Sequence, residues 1–405
     1  SRPDVLSPIY KGEVNVHGLG FSPDHKTLLV ISTASNAATF IDTQTNKVKG
    51  TVYVGRSPHE GFFTPDGKEA WVVVRGEDYL SVIDTTTFRE KSRIQTTTGP
   101  GMVIFHPNGK IAFVCNSFNP VVEVIDLSTR KVVKSIPVVS PFSPFLQVTP
   151  DGREIWLTHK DVGKVTRIDA EKWNVIGTID TGFITNHLAF AKVGSHTFAY
   201  VTVGGEDLVK VYDLTNPAKS TAEIKVGALP HGIWASDDSS RLYVGLENGD
   251  SIAVIDSSTN SVVATVPAGQ APQALVYVSN AVEKGDGKAG LKPRPEGPSN
   301  ATFHLRPKSG ETKGLAVVRN LGPVDSFEIN IFKAKPDSFF EVYLGSKERL
   351  LAIVKTNEKG MGSATVIGPA KTLAPDIRKN HDEVKLVVME KGQAFNTEKA
   401  LLLSK

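Results

Sequence analysis

Apolar and polar residues alternate along most of the chain in short runs broken by Gly, Pro, Asp, Asn and Ser. This is the pattern of half-buried strands joined by turns, and no long stretch carries the period of an amphipathic helix. The runs repeat. An aliphatic or aromatic residue followed by Asp closes a strand at Ile41-Asp42, Ile83-Asp84, Ile125-Asp126, Ile168-Asp169, Tyr212-Asp213 and Ile255-Asp256, at spacings of 42, 42, 43, 44 and 43 residues. Each unit reads as four strands. A first strand such as Gly61-Phe62-Phe63 leads through a Thr-Pro-Asp-Gly turn into an aromatic-Val strand such as Trp71-Val72-Val73-Val74. The third ends in Ile-Asp, and the fourth follows a Thr/Ser-rich turn, as in Lys131–Ile136. Pro-Asp-Gly suits the tight turn because proline presets φ and glycine accepts positive φ.

A four-stranded unit of about 40–45 residues predicts a propeller blade. Six units are complete, and a seventh starts at Gln273-Ala274-Leu275-Val276-Tyr277-Val278 before the pattern fades. Val5–Tyr10 reads as an outer strand returning to that last blade, which would close the ring and leave no open edge. The expectation is a seven-bladed β-propeller over residues 1–280, with six blades the alternative. Residues 281–300, rich in Gly and Pro, predict a linker. From 301 to 405 alternating runs resume without the blade signature, among them Leu315–Val318, Phe327–Ile331, Phe339–Leu344, Leu350–Val354 and Val384–Val388. They predict a small β-sandwich domain with a structural or docking role.

The repeats carry Pro-His-Gly before an inner strand, Pro-Asp-Gly after one, then Tyr-Val and Ile-Asp; they resemble the YVTN-type propeller repeat family over about residues 5–280. Only Tyr200-Val201-Thr202 keeps three of the four letters of that name, and Val203 follows. The resemblance implies a fold that surface-layer proteins, scaffolds and redox enzymes share, so function has to come from a site.

Seven residues before each turn Asp, or its counterpart, one position returns His17, His59, Gly101, Pro144, His187, His231 and Gln273. The innermost strands of a propeller surround its axis, so these residues should form one ring. Because the ring closes, blades five, six, seven, one and two are contiguous. Four imidazoles and an amide then share one arc and face the small Gly101 and Pro144. Two residues further along come Leu19, Gly61, Val103, Leu146, Ala189, Ile233 and Leu275, none with a polar side chain. A polar mouth over an apolar throat makes a blind pocket. The second strand of each blade returns to the same mouth, where the loops hold Arg75, Glu77, Asp78, His159, Lys160, Asp161, Glu206, Asp207, Glu247 and Asp250. A solvated rim is the simpler reading of these charges; partners for ring imidazoles are the other. Glu60, beside His59, is the candidate catalytic carboxylate. His25, His106 and His196 fall at turns or in a loop and carry no expected chemistry.

Composition narrows the classes. Lys and Arg number 46 against 43 Asp and Glu, so neither nucleic acid nor a polybasic membrane contact is indicated. No apolar run reaches the ~18 residues of a membrane span. Cys115 is the single cysteine, which excludes an internal disulfide framework and reads as a buried hydrophobe. The first residue is Ser and not Met, read as a mature chain whose leader has gone, pointing to a periplasmic or secreted protein. There is no Gly-x-Ser-x-Gly elbow, His-Glu-x-x-His, Walker loop or dinucleotide fingerprint.

Three readings follow. In the first, His17, His59, His187 and His231, with Gln273, bind a transition metal, copper favoured and zinc the alternative, because several neutral imidazoles suit either. The layout is similar, at the level of architecture, to the axial histidine-ligated copper centres of nitrous oxide reductase and thiocyanate dehydrogenase, although the cupredoxin partner of the former is missing. A small-molecule substrate reaching the metal over Gly101 and Pro144 would make the protein a copper-dependent oxidoreductase. In the second, the protein is a non-enzymatic scaffold or recognition module for a protein partner or cell-surface polymer. In the third it is a lactonase- or lyase-like hydrolase with Glu60 as base.

Overall fold

The predicted strands form because β-branched and aromatic residues alternate with polar ones between turn residues at a fixed repeat. The computed structural model describes residues 16–269, 271–279, 300–320, 325–345, 349–367 and 385–404. The chain divides into two compact units, Ser1–Pro293 and Arg294–Lys405.

In the first unit, six four-stranded antiparallel sheets follow one another, each ordered first strand to fourth as in the chain. The first sheet holds Val16–Phe21, Thr27–Ser32, Ala37–Asp42 and Val48–Tyr53; the second holds Pro58–Phe63, Glu69–Val74, Tyr79–Asp84 and Arg89–Gln95. Successive first strands touch one another, which sets them round a common axis and makes each sheet a blade. Fourth strands such as Arg89–Gln95 and Ser261–Pro267 are largely exposed, while second and third strands are buried between blades. Trp71, Trp156, Tyr200 and Tyr212 are among the largest fully buried side chains of this inter-blade core. The polar tips of both tryptophans are satisfied locally: each indole N–H donates to the glutamate two residues before it, Trp71 to Glu69 and Trp156 to Glu154. Those carboxylates in turn pair with Arg130 and Arg167.

Residues 271–279 carry no ladder of their own but lie along blade six. Tyr277 stacks on Tyr243 at 5.5 Å between ring centres, and the Gln273 carbonyl fills the space a side chain at Gly232 would need. The predicted closing strand Val5–Tyr10, the linker over 281–299 and His381 lie outside the described residues.

Among the described residues of the second unit, Thr397–Lys399 is a short 3₁₀ segment and the strands make up the rest of the regular structure. Where two facing sheets are expected, one eight-stranded sheet is found. It runs from Arg349–Lys355 through Phe339–Leu344, Leu386–Glu390, Leu402–Ser404, Asn300–Arg306, Lys313–Asn320 and Asp325–Phe332 to Gly362–Ile367. Its two end strands meet, so the sheet curls into an almost closed barrel around Phe303, Phe327, Ile329, Phe340, Val342 and Val388. The same alternation of inward apolar residues serves a flattened barrel as well as a sandwich, which is why periodicity does not separate them.

Gly232→Ala should lower stability by about 1–3 kcal/mol, the cost of overpacking against a fixed carbonyl. Gly269→Ala, whose added methyl meets nothing within 4 Å, should stay within about 0.5 kcal/mol of the parent. Guanidinium unfolding midpoints of the two variants check the seating of residues 271–279 on blade six.

Candidate functional site

Every histidine of the predicted ring sits where its strand breaks register. The first and second strands of the blades lose register between Val16 and Gly18, Pro58 and Gly61, Thr185 and Leu188, and Pro230 and Ile233, so His17, His59, His187 and His231 all lie in bulges. A bulge leaves a residue out of the ladder and re-aims its side chain, here toward the axis. Proline precedes the ring position at Pro58, Pro100, Pro230 and Pro272, where a residue without an N–H loses nothing. Two residues before the ring position the backbone turns left-handed at Ser57, Gly99, Leu229 and Ala271. For a branched residue such as Leu229 that conformation is strained; it also recurs at the turn between third and fourth strands, at Asn46, Phe88, Arg130, Trp173 and Asn260.

The four imidazoles converge. His17 lies 3.8 Å from His59 and 6.0 Å from His231 between ring centres, and His231 lies 4.9 Å from His187. All four are at least nine-tenths buried. Within this chain of rings, His17, His59 and Glu60 bring their ligand atoms within 4.8 Å of one another, close enough to hold one ion. His187 and His231 form the neighbouring pair. Gln273 stands one step behind: its Nε2 donates to Glu247 Oε1 at 2.9 Å. Gly101 leaves its place in the ring empty, and beside Pro144 the ring of Phe145 stacks on His187 at 4.2 Å.

Three of the four imidazoles have a ring nitrogen held by a neighbouring acceptor. His59 Nδ1 is 2.7 Å from the Gly101 carbonyl, which can only accept, so the proton sits on Nδ1 and Nε2 keeps its lone pair. His231 Nδ1 is 2.8 Å from Glu247 Oε2, the carboxylate–histidine arrangement that orients metal-binding imidazoles. His17 Nδ1 is 3.3 Å from Glu60 Oε1. His187 Nε2 is buried with no hydrogen-bond partner among the described residues. Gly18 makes the His17–Glu60 approach possible, since a methyl there would stand 2.7 Å from Glu60 Oε2 and 2.8 Å from the His59 carbonyl.

Burial decides the charge state. Desolvation, helped by the charge of Arg75, lowers His17 to about 3. It also holds His59 and His187 well below the usual imidazole value, with Arg75 and His231 respectively adding to the effect. His231 is lowered by burial, against the pull of Glu247. Glu60 is pushed up to about 8 by burial, against opposing pulls from His231 and Arg75. The His17–Glu60 contact has ion-pair geometry, but a neutral imidazole beside a protonated acid makes it a neutral hydrogen bond. Without a cation the cluster is therefore uncharged near neutral pH.

The mouth charges are less solvated than a rim reading expects. Glu247, Asp250 and His159 are buried. His159 is turned into its blade, with Nδ1 3.1 Å from Ser143 Oγ and Nε2 2.7 Å from Thr166 Oγ1. Glu206 pairs with Lys210 at 2.9 Å, and Asp161 bonds Ser140. His106 braces the first turn of blade four through the Gly152 carbonyl, and His196 pairs with Asp213 at the surface. Cys115 is fully buried and its thiol is pushed far up by desolvation, as an inert core residue. Phe145 and Ser117 were not marked by sequence reasoning; both flank ring positions, which is the signal that points to them.

Comparison with known proteins follows this geometry. The model of the lactonase family of seven-bladed β-propellers matches residues 30–276. Curated proteins give no match. Among solved structures, Kuenenia stuttgartiensis hydrazine synthase is similar with a TM-score of 0.60 and 21% identity, over 65% of this chain and 89% of that one. The dihydro-heme d1 dehydrogenase NirN is similar with a TM-score of 0.52 and 16% identity, over 87% and 68%. The Pseudomonas aeruginosa periplasmic gluconolactonase PpgL is similar with a TM-score of 0.53 and 17% identity, over 63% and 86%. At these identities the likeness is one of fold. Among the described residues no helix is long and apolar enough to cross a membrane.

The four lowered imidazoles make stability rise with pH around their ordinary value of 6.5, and Glu60 acts in the opposite direction, so its share is read against a variant that cannot titrate there. The folded state keeps its proton up to about 8 while the unfolded state, with the ordinary value of 4.5, has lost it. Relative to Glu60→Gln, the stability of EDTA-treated protein should therefore fall as pH rises from 6.5 to 8, because only the parent holds a proton in the folded state that the unfolded chain has lost. Thermal midpoints of the two proteins across this window decide it.

Proposed function

The chain belongs to the lactonase family of seven-bladed β-propellers, and we propose that within this family its axial cluster is a transition-metal site serving chemistry on a small molecule. One observation carries the reading: four buried, neutral imidazoles and a carboxyl group from blades one, two, five and six meet at one point, three of them within 4.8 Å of one another. Burying an imidazole nitrogen without a partner, as at His187 Nε2, is costly, and a cation that accepts a lone pair removes the cost. His17, His59 and Glu60 would hold the ion. His231, oriented by Glu247, and His187, with its unpartnered Nε2, stand next to it. Imidazole-rich donors favour copper over other divalent ions, with zinc the alternative. A bound ion there would supply redox or Lewis-acid chemistry; the chain supplies a desolvated chamber, fixed tautomers and one titratable acid.

A second reading is supported by family membership and by the fold shared with a periplasmic gluconolactonase: hydrolysis of a lactone, with Glu60 moving the proton. An acid raised to about 8 is matched to proton transfer near neutral pH. The same periplasmic neighbour supports reading the chain as an exported protein.

Elemental analysis of protein purified without an affinity tag should find a metal near one per chain, lost in His59→Ala. Glu247→Ala, which removes the carboxylate behind His231 and the acceptor of Gln273, should weaken metal affinity about 10- to 100-fold. Gluconolactone turnover that persists in EDTA and fails in Glu60→Gln would favour the hydrolytic reading. No metal in the parent, with added Cu²⁺ leaving its thermal midpoint unchanged, would leave a non-catalytic recognition body.

A further inference from the structure

A second ring lies beside the histidines. The residue immediately after each second strand is Thr33, Arg75, Ser117, Lys160, Gly204 and Glu247, each nine residues before its Ile-Asp or Tyr-Asp. In blades three to six these residues make the same bond: the N–H of Ser117, Lys160, Gly204 and Glu247 donates to the carbonyl of Gly99, Phe142, Ile184 and Leu229, just before the ring position. In blade six the side chain at this place reaches the axial cluster, since Glu247 lies 2.8 Å from His231. The equivalent places on blades two, three and four hold Arg75, Ser117 and Lys160. The second ring is thus divided, acidic behind His231 and basic across blades two to four.

The basic arc is built and has no partner within the described chain. Neither Arg75 nor Lys160 has a side-chain hydrogen bond or an ion pair among the described residues. Their charges reach the cluster: Arg75 acts on His17, His59 and Glu60, and Lys160 on His17, His187 and His231. Between them Ser117 is 5% exposed, and its Oγ is buried without a hydrogen-bond partner. That hydroxyl lies close against Gly101, where only the lack of a side chain lets it approach. A methyl on Gly101 would stand 3.0 Å from Ser117 Oγ, with the Ser143 carbonyl at 3.1 Å and Cys115 Sγ at 3.2 Å on its other sides. A buried hydroxyl without a partner, at a ring position shared with two cations on the neighbouring blades that make no ion pair, suits an oxyanion.

We propose that Arg75, Ser117 and Lys160 form an anion subsite that takes the carboxylate, or a comparable small oxyanion, of the substrate and so sets its orientation toward the histidines. This rests on the reading above in treating the histidine arc as the reacting side. The division of the second ring would admit an anionic molecule one way round, charge over blades two to four and reacting group toward blades one and six. A neutral molecule of the same size gains nothing from the basic arc.

Acetate, inorganic phosphate and neutral acetamide are the probes, titrated calorimetrically into EDTA-treated full-length protein at low ionic strength. Acetate or phosphate should bind and acetamide should not; which of the two anions binds tells a planar from a tetrahedral group. Arg75→Met and Lys160→Met should each weaken anion binding at least about tenfold, the loss of one charge-assisted hydrogen bond, and Arg75→Lys should restore part of it. Equal binding of acetate and acetamide, or unchanged anion binding in a folded Arg75→Met/Lys160→Met variant, overturns the proposal. His59→Ala separates it from the metal reading. Anion binding retained there while metal is lost supports both ideas, whereas metal bound normally by a parent that binds no anion overturns this one alone.

Discussion

Everything at the mouth depends on one constraint: a position repeated along the chain becomes a circle in space when the repeats close around an axis. Residues more than two hundred positions apart, such as His17 and His231, are then brought within 6.0 Å between ring centres. The circle is narrow, so its members are stripped of water. Desolvation does the rest, holding the imidazoles neutral and Glu60 protonated, and neutral rings can converge where charged ones would drive each other apart. The site's chemistry is therefore a consequence of its position on the axis before it is a consequence of any single residue.

The repeat that builds the blades is also what bends the strands at the mouth. A regular ladder would leave the ring residues alternating toward neighbouring blades. The bulges at His17, His59, His187 and His231 interrupt that alternation at the same place in each blade. At His59 and His231 a proline before the bulge and a left-handed residue before the proline, Ser57 or Leu229, fix where it occurs. Leu229 and Ala271 hold that conformation without the freedom of glycine. The strain is tolerated because the blade on either side over-determines the path.

Much of this was legible in residue order, and the limits are physical. The period of 42 to 44 residues was enough to place the blades and to name the four histidines that meet. It could not say that Gln273 would serve Glu247 and leave the metal-distance trio to Glu60, because a one-residue bulge decides which of His59 and Glu60 faces inward, and here both do. Nor could it tell buried Glu247 and Asp250 from a solvated rim, since burial there is set by the neighbouring blade and not by local sequence. In the C-terminal unit alternation revealed the strands but not their partners. Whether inward residues close one curled sheet or two facing sheets depends on long-range pairing, such as Asn300–Arg306 with Leu402–Ser404, that no local period encodes.

The asymmetry of the two rings separates a functional reading from a decorative one. Repetition by itself spreads like residues evenly round an axis; a propeller that only needed a polar mouth could use one residue type throughout. Here the first ring gathers imidazoles on one arc and leaves Gly101 and Pro144 opposite, while the second puts Glu247 behind His231, Arg75 on the blade of His59, and Lys160 on the blade of Pro144. An acid that orients His231 belongs behind a ligand, and cations that depress His17 and His59 are poor neighbours for a metal unless something negative lies between. Glu60, once it gives up its proton, is one such charge. An anionic group held over Gly101 is the other, and with both present the cationic arc and a bound ion no longer oppose each other across the channel.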